Sequence, residues 1–192
     1  MNPPKVIQTT SPKRTSGIGT AAMLASSALI LLTFAGCATS GSARAIRSLQ
    51  PDAQITSSDR VKAQVIPAPG VAIADTERAR FASQVESAIR AQARPGSRGG
   101  RDYKVVLNLS RYEKGSAVAR AMLAGLGQMH IDGTVSVRTP PAAAPCGNFT
   151  ISKTFAWGGM IGATTNIETV EQEFAKAVGE AVCAGDVLPQ TE

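Results

Sequence analysis

The 192-residue chain has a single histidine, three cysteines and no apolar run that reaches the ~20 residues a membrane-spanning helix needs. Each shortage excludes something. With His130 alone, no histidine cluster can ligate a metal, and a serine triad would have to rest on that one ring. Alternation puts His130 on the outer face of a strand with Asp132 beside it, where it serves as an ordinary polar residue. Asp102, Glu113 and Asp132 show no spacing that pairs an acid with a base. There is no Cys-x-x-Cys for redox chemistry. Trp157-Gly158-Gly159-Met160-Ile161-Gly162 lacks the Lys-Ser/Thr of a phosphate-cradling loop. The expectation is a chain that is not an enzyme, with no catalytic residue, no metal site and no cofactor.

Acidic residues are also missing from the first 36 positions, where Lys5, Lys13 and Arg14 precede an apolar stretch from Ala21 to Ala35. A basic start, a short greasy middle and small residues at the exit are the anatomy of an export signal. Its close, Phe34-Ala35-Gly36-Cys37, resembles the bacterial lipobox, with Phe34 in place of the usual Leu. The resemblance implies that the Cys37 thiol receives a diacylglyceryl group and becomes the new N-terminus. Ala38 rather than Asp follows it, which by the proteobacterial sorting rule implies an outer-membrane anchor and a domain facing the periplasm.

Removal of residues 1–36 leaves 156, enough for one domain with a core. Three of the twenty basic residues and none of the fourteen acidic ones leave with the signal, so the net charge falls from +6 to +3. That is too mild to argue for nucleic acid, and export argues against it as a partner. Residues 37–59 are rich in small polar side chains and read as a lipidated flexible tether. Residues 60–186 read as the folded domain and 187–192 as a tail.

Within that domain Val61, Ala63 and Val65 alternate with polar neighbours up to Pro67. Asp75 is the expected N-cap of a helix ending before Pro95, with Phe81, Val85, Ala88 and Ile89 on one face. Three clear strands follow, marked by Tyr103 to Leu109, Met129 to Val137 and Phe149 to Phe155. Thr165-Asn166-Ile167-Glu168 has capping-box form, and Ile167, Val170, Phe174, Val178 and Val182 then step along one helical face. The order β-α-β-β-β-α predicts an α+β two-layer sandwich. Its mostly antiparallel sheet is covered on one face by two helices. Lys104, Asn108, Asp132, Ser136, Arg138 and Thr150 fall on the open face.

Cys146 and Cys183 remain once Cys37 is acylated, and in an oxidising envelope such a pair reads as a disulfide. Cys146 precedes the last strand, and the last helix must run back along it. About nine strand residues cover ~30 Å and about eighteen helical residues ~27 Å, which returns Cys183 to the Cys146 end. Two separate thiols are the alternative.

Two segments stand out as interaction candidates. Gly115 to Gly127 is apolar and Gly-rich, and includes Arg120, Met122, Leu123 and Gly125. It reads either as a projecting hairpin that meets lipid or another subunit, or as a crossover folded over one end of the sandwich. Trp157 with Gly158, Gly159 and Gly162 reads as a turn, or as a contact surface for a partner. Arg90, Arg94, Arg98 and Arg101 read as a basic rim facing headgroups, or as solvated charges near a helix end.

From Tyr103 to Val182 the pattern resembles a family of Gram-negative lipoproteins carrying a domain of unknown function. The features that carry it are Ser110-Arg111-Tyr112-Glu113-Lys114-Gly115, Arg120, the apolar stretch Ala121 to Gly127, Gly133-Thr134-Val135-Ser136-Val137 and the glycines from Gly158 to Gly162. The order of elements is also similar to the periplasmic α/β domain of curli-secretion lipoproteins. These resemblances imply location and fold. The function expected is a membrane-anchored scaffold or accessory binding module with an envelope protein partner. A self-associating structural or secretion-type lipoprotein is the alternative, and an envelope hydrolase a distant third.

Overall fold

Period-two alternation of large apolar residues builds four strands, a fifth joins them at one edge, and two one-sided helices cover the sheet they form. The computed structural model describes residues 39–96, 100–122, 127–142, 144–156 and 164–184, all in a compact unit that begins at Ala38. In chain order these are β1 (Thr39–Arg47), a 3-10 turn (Pro51–Ala53), β2 (Arg60–Pro67), α1 (Asp75–Gln92), β3 (Asp102–Glu113), α2 (Ala117–Met122), β4 (Met129–Arg138), β5 (Gly147–Phe155) and α3 (Ile167–Ala184). The sheet order is β1-β5-β4-β3-β2. β3, β4 and β5 form the expected antiparallel meander. β2 pairs parallel to β3 through the α1 crossover, and β1 pairs antiparallel to β5. The α+β class and the one-sided helical cover are as the sequence pattern predicts.

The stretch read as a flexible tether is a correction. Residues 39–47 form an edge strand, with Thr39 opposite Phe155 and Ala43 opposite Ile151. Leu49, Ala53 and Ile55 after it are buried in the common core. The strand is hidden in the sequence because Ala43 and Ala45 are its inward-facing residues, and both pack against the core only partly buried. Methyl-sized side chains produce little alternation in hydropathy, so β5 rather than intrinsic propensity specifies the pairing.

The inner face of the sheet contributes Val105, Leu107, Leu109, Ile131, Val135 and Ile151, all at most 1% exposed. Phe81 of α1 meets Phe174 of α3 edge-on, with centroids 5.5 Å apart. Gly179 lets the two helices approach closely there, since a Cβ on it would sit 2.7 Å from the Ala88 carbonyl oxygen. Both expected helix caps shift by one residue. Ala74, not Asp75, is the cap of α1, and its N–H donates to the Glu77 carboxylate at 3.1 Å. At α3 the Asn166 side chain accepts from Thr169 N–H at 3.1 Å. Glu168 takes a hydrogen bond from Arg80 at 2.6 Å.

Candidate functional site: the open sheet face and the Thr39 end

Strand register places the charges of the uncovered face. Lys62 of β2 lies opposite Lys104 of β3, and Lys104 lies opposite Arg138 of β4. Three exposed cations thus stand in one row across three adjacent strands, which sit about 4.8 Å apart. The nearest acid on that face, Asp102, is taken by Arg60 at 2.6 and 3.0 Å. Among the described residues no carboxylate forms an ion pair with Lys62, Lys104 or Arg138. A groove of about 470 Å³ lies at the β2–β3 part of this row, lined by Arg60, Lys62, Gln64, Asp102, Lys104 and Pro140 among others. Two rows further on, Asn108, Thr134, Thr150 and Arg44 follow one another in register. Towards the opposite end the face changes character. There Asp132 accepts from Ser152 at 2.5 Å, Glu113 accepts from Arg111 at 2.7 Å, and His130 Nδ1 lies 3.0 Å from Thr154 Oγ1.

That second end collects several chain segments. Thr39 lies opposite Phe155 and Phe155 opposite Met129. Next to Met129, His130 is opposite Glu113, the last residue of β3. The start of β1, the end of β5 and the β3–β4 connection therefore share one edge of the sandwich. The connection is pinched at its base, where Gly115 and Gly127 have φ of +62° and +65°. A Cβ at Gly115 would run into the Gly127 carbonyl oxygen, and Ser116 N–H bonds the same oxygen at 3.3 Å. Beyond the pinch, α2 carries Val118 and Met122 at 70% and 78% exposure.

The remaining sequence-predicted residues divide as follows. The two cysteines are a correction: both are free thiols. Cys146 Sγ bonds the Val137 carbonyl at 3.2 Å, whereas Cys183 Sγ faces the Ile89 carbonyl of α1 at 3.6 Å. Cys146 sits just before β5 and Cys183 lies in α3, and each thiol is turned to a different backbone carbonyl rather than to the other. Burial pushes the Cys183 thiol up to about 11. Gly115, Gly127 and Met122 lie together at the Thr39 end, as does the backbone of Arg120. The Arg120 side chain, Cys37, Leu123, Gly125, Trp157, Gly158, Gly159 and Gly162 lie outside the described residues.

The arginines in the last turn of α1 and beyond it are largely structural. Arg90 pairs with Glu86 at 3.0 Å, Arg94 reaches Gln54, and Arg101 donates to the Asp52 and Gln54 carbonyls. Arg98 lies outside the described residues. Among the described residues no group of three or more His, Cys, Asp or Glu side chains is placed to hold a metal ion.

Two buried polar clusters were not foreseen. Glu171 is fully buried on α3 and accepts from Arg80 at 3.0 and 3.1 Å and from the Tyr112 hydroxyl at 2.6 Å. Burial and the hydrogen bond to Glu171 both push the Tyr112 hydroxyl well above its ordinary range. Asp59 accepts from Thr56 N–H and Arg101 N–H, each at 2.8 Å, and ties the approach to β2 to the start of β3. Burial opposes its ionisation, but these backbone donors outweigh it and hold the carboxyl below its usual range. The Glu171 position looks like an exposed helical glutamate in sequence. Only the inward-facing Tyr112 on the neighbouring strand betrays it.

No protein-family profile matches the chain, and no curated protein matches it. Among solved structures it is similar to PelC dodecamers from Paraburkholderia phytofirmans in two space groups. One, a variant in C2, is 15% identical with a TM-score of 0.49, covering 74% of this chain and 97% of that one. The other, in P6, is 11% identical with a TM-score of 0.49, covering 75% and 96%. A candidate lipoprotein from Caulobacter crescentus CB15 is 12% identical with a TM-score of 0.34, covering 64% and 85%.

Proposed function

We propose that this chain is an outer-membrane lipoprotein, moored through Cys37, that acts as a binding module for an acidic glycan in the periplasm. The observation that carries the binding assignment is the Lys62–Lys104–Arg138 row. Like charges directly opposite on a sheet are destabilising, and nothing described on the face neutralises these. An anionic ligand would. The surrounding Asn108, Thr134, Asn148 and Thr150 offer hydroxyl and amide groups to sugar hydroxyls. The face has no aromatic anchor among its described residues, since Tyr103, Tyr112, Phe149 and Phe155 all point inward. Binding on this face therefore rests on charge and hydrogen bonds rather than on apolar anchors, and the carboxylates and hydroxyls of an acidic glycan supply both. Edge-to-edge pairing of two copies is opposed as well. β1 carries Arg44 and Arg47 and β2 carries Arg60 and Lys62, so cation meets cation.

The test is binding of the mature protein to polygalacturonate, followed by calorimetry at low and raised salt. Binding should weaken with salt and be lost in the Lys62→Gln, Lys104→Gln, Arg138→Gln variant. That variant should be as stable as the parent, or slightly more so. Unchanged binding in the variant, or binding only of an envelope protein that ignores these substitutions, contradicts the assignment.

A further inference from the structure

We infer that α2 is a second membrane contact, so that the bilayer holding the Cys37 lipid also buries Val118 and Met122. The inference rests on the lipid-anchor reading above and on topology independent of it. Cys37 is joined to Thr39 through Ala38 alone, so at two Cα steps of about 3.8 Å the lipid-bearing residue lies within ~8 Å of the first residue of β1. A leash of two dozen residues would have let the domain tumble freely. The strand removes that freedom and turns the Thr39 end of the sheet towards the membrane. The β3–β4 connection leaves the sheet at this same end, two to three strand spacings away, or about 10–14 Å.

What it presents there is apolar. Val118 and Met122 are four residues apart, hence on one face of α2. They are 70% and 78% exposed, the two most exposed large hydrophobic side chains among the described residues. The glycine pinch at Gly115 and Gly127 and the bond from Ala119 N–H to Ser116 Oγ at 3.3 Å brace the turn that carries them. A six-residue helix is too short to enter a bilayer deeply. It can bury two side chains at the headgroup boundary while the backbone stays in the polar zone. The row of cations lies towards the other end of the sheet, so this orientation points it away from the anchoring membrane.

The experiment uses the full chain, processed in cells and reconstituted into vesicles of phosphatidylethanolamine and phosphatidylglycerol with brominated acyl chains. Two variants in a Trp157→Phe background report position: Met122→Trp at the tip and Ser48→Trp, exposed at the far end. The N-terminal mass is read on the same samples. An acylated terminus with Met122→Trp emission quenched at least about twofold and Ser48→Trp unaffected supports the contact. An acylated terminus without quenching overturns the contact while leaving the anchor standing. Equal quenching of both probes means the domain lies flat and overturns it too. Concentration-dependent shielding of Met122→Trp without bromine quenching assigns the tip to a second copy of the chain, again against the inference. A terminus with no acyl mass removes both the anchor and the contact.

Discussion

Replacing the two halves of the Arg80–Glu171 pair separately and together measures how much of the helix–helix seam is electrostatic. Glu171 is fully buried, whereas the Arg80 side chain is 34% exposed and also holds Glu168 at 2.6 Å. The two single variants are therefore unequal. Arg80→Met strands a carboxylate in the core with only the Tyr112 hydroxyl, and breaking a buried pair in this way costs about 3–5 kcal/mol. Glu171→Leu leaves a guanidinium that still reaches water and Glu168, so the loss is discounted to about 1.5–3 kcal/mol, the range for hydrogen bonds to charged groups. The double variant removes both charges and leaves the Tyr112 hydroxyl and the water-exposed Glu168 carboxylate short of a partner, so it should sit within about 2 kcal/mol of the parent. Coupling between the sites is then at least about 2 kcal/mol. For a domain of this size 1 kcal/mol moves Tm by about 2–4 °C, so Arg80→Met should melt about 6–20 °C lower. Urea unfolding followed by far-UV circular dichroism gives all four free energies. Additive single effects, with coupling under about 0.5 kcal/mol, would refute the claim that the seam depends on this pair.

Gly179→Ala should cost about 1–3 kcal/mol, because the added methyl meets the Ala88 carbonyl at 2.7 Å and forces the helices apart; the urea midpoint reads it. Asp59 has a depressed folded-state value. Its contribution is therefore complete above the unfolded value of about 3.9 and is lost as pH falls through the lower folded one. The parent's urea midpoint should drop between about pH 5 and pH 2, with a shallower drop in Asp59→Asn, which starts lower at neutral pH. Reductant should leave Tm unchanged, and maleimide should label Cys146 before the buried Cys183; a reductant-sensitive Tm would restore the bridge. Gly115→Ala should destabilise the β3–β4 pinch by about 1–3 kcal/mol through its positive φ and the contact with Gly127.

Much of the fold is legible in the sequence, because β3, β4, β5 and α3 bury large side chains at clean periods. Ile131, Val135 and Val137 alternate with polar partners, and Val170, Phe174, Val178 and Val182 step along one helical stripe. β1 is illegible because its inward residues are alanines, whose burial changes hydropathy too little to leave a rhythm. The open-face residues Lys104, Asn108, Asp132, Ser136, Arg138 and Thr150 follow from alternation alone, and they do face away from the helices. The cation row does not follow, because it depends on how three strands are staggered. Net charge also conceals it, since the acids that balance the total sit elsewhere. Strand and helix lengths predict Cys183 at the Cys146 end, but length is blind to the direction in which each thiol is turned.

Orientation at the membrane and presentation of the sheet face both depend on Cys37 carrying lipid two residues ahead of β1. Intact-mass and N-terminal peptide mass spectrometry of protein recovered from cell envelopes tests this directly. The account predicts a mature chain beginning at Cys37 and heavier by a diacylglyceryl group. A chain that retains Met1, or one beginning at an unmodified Cys37, would contradict it.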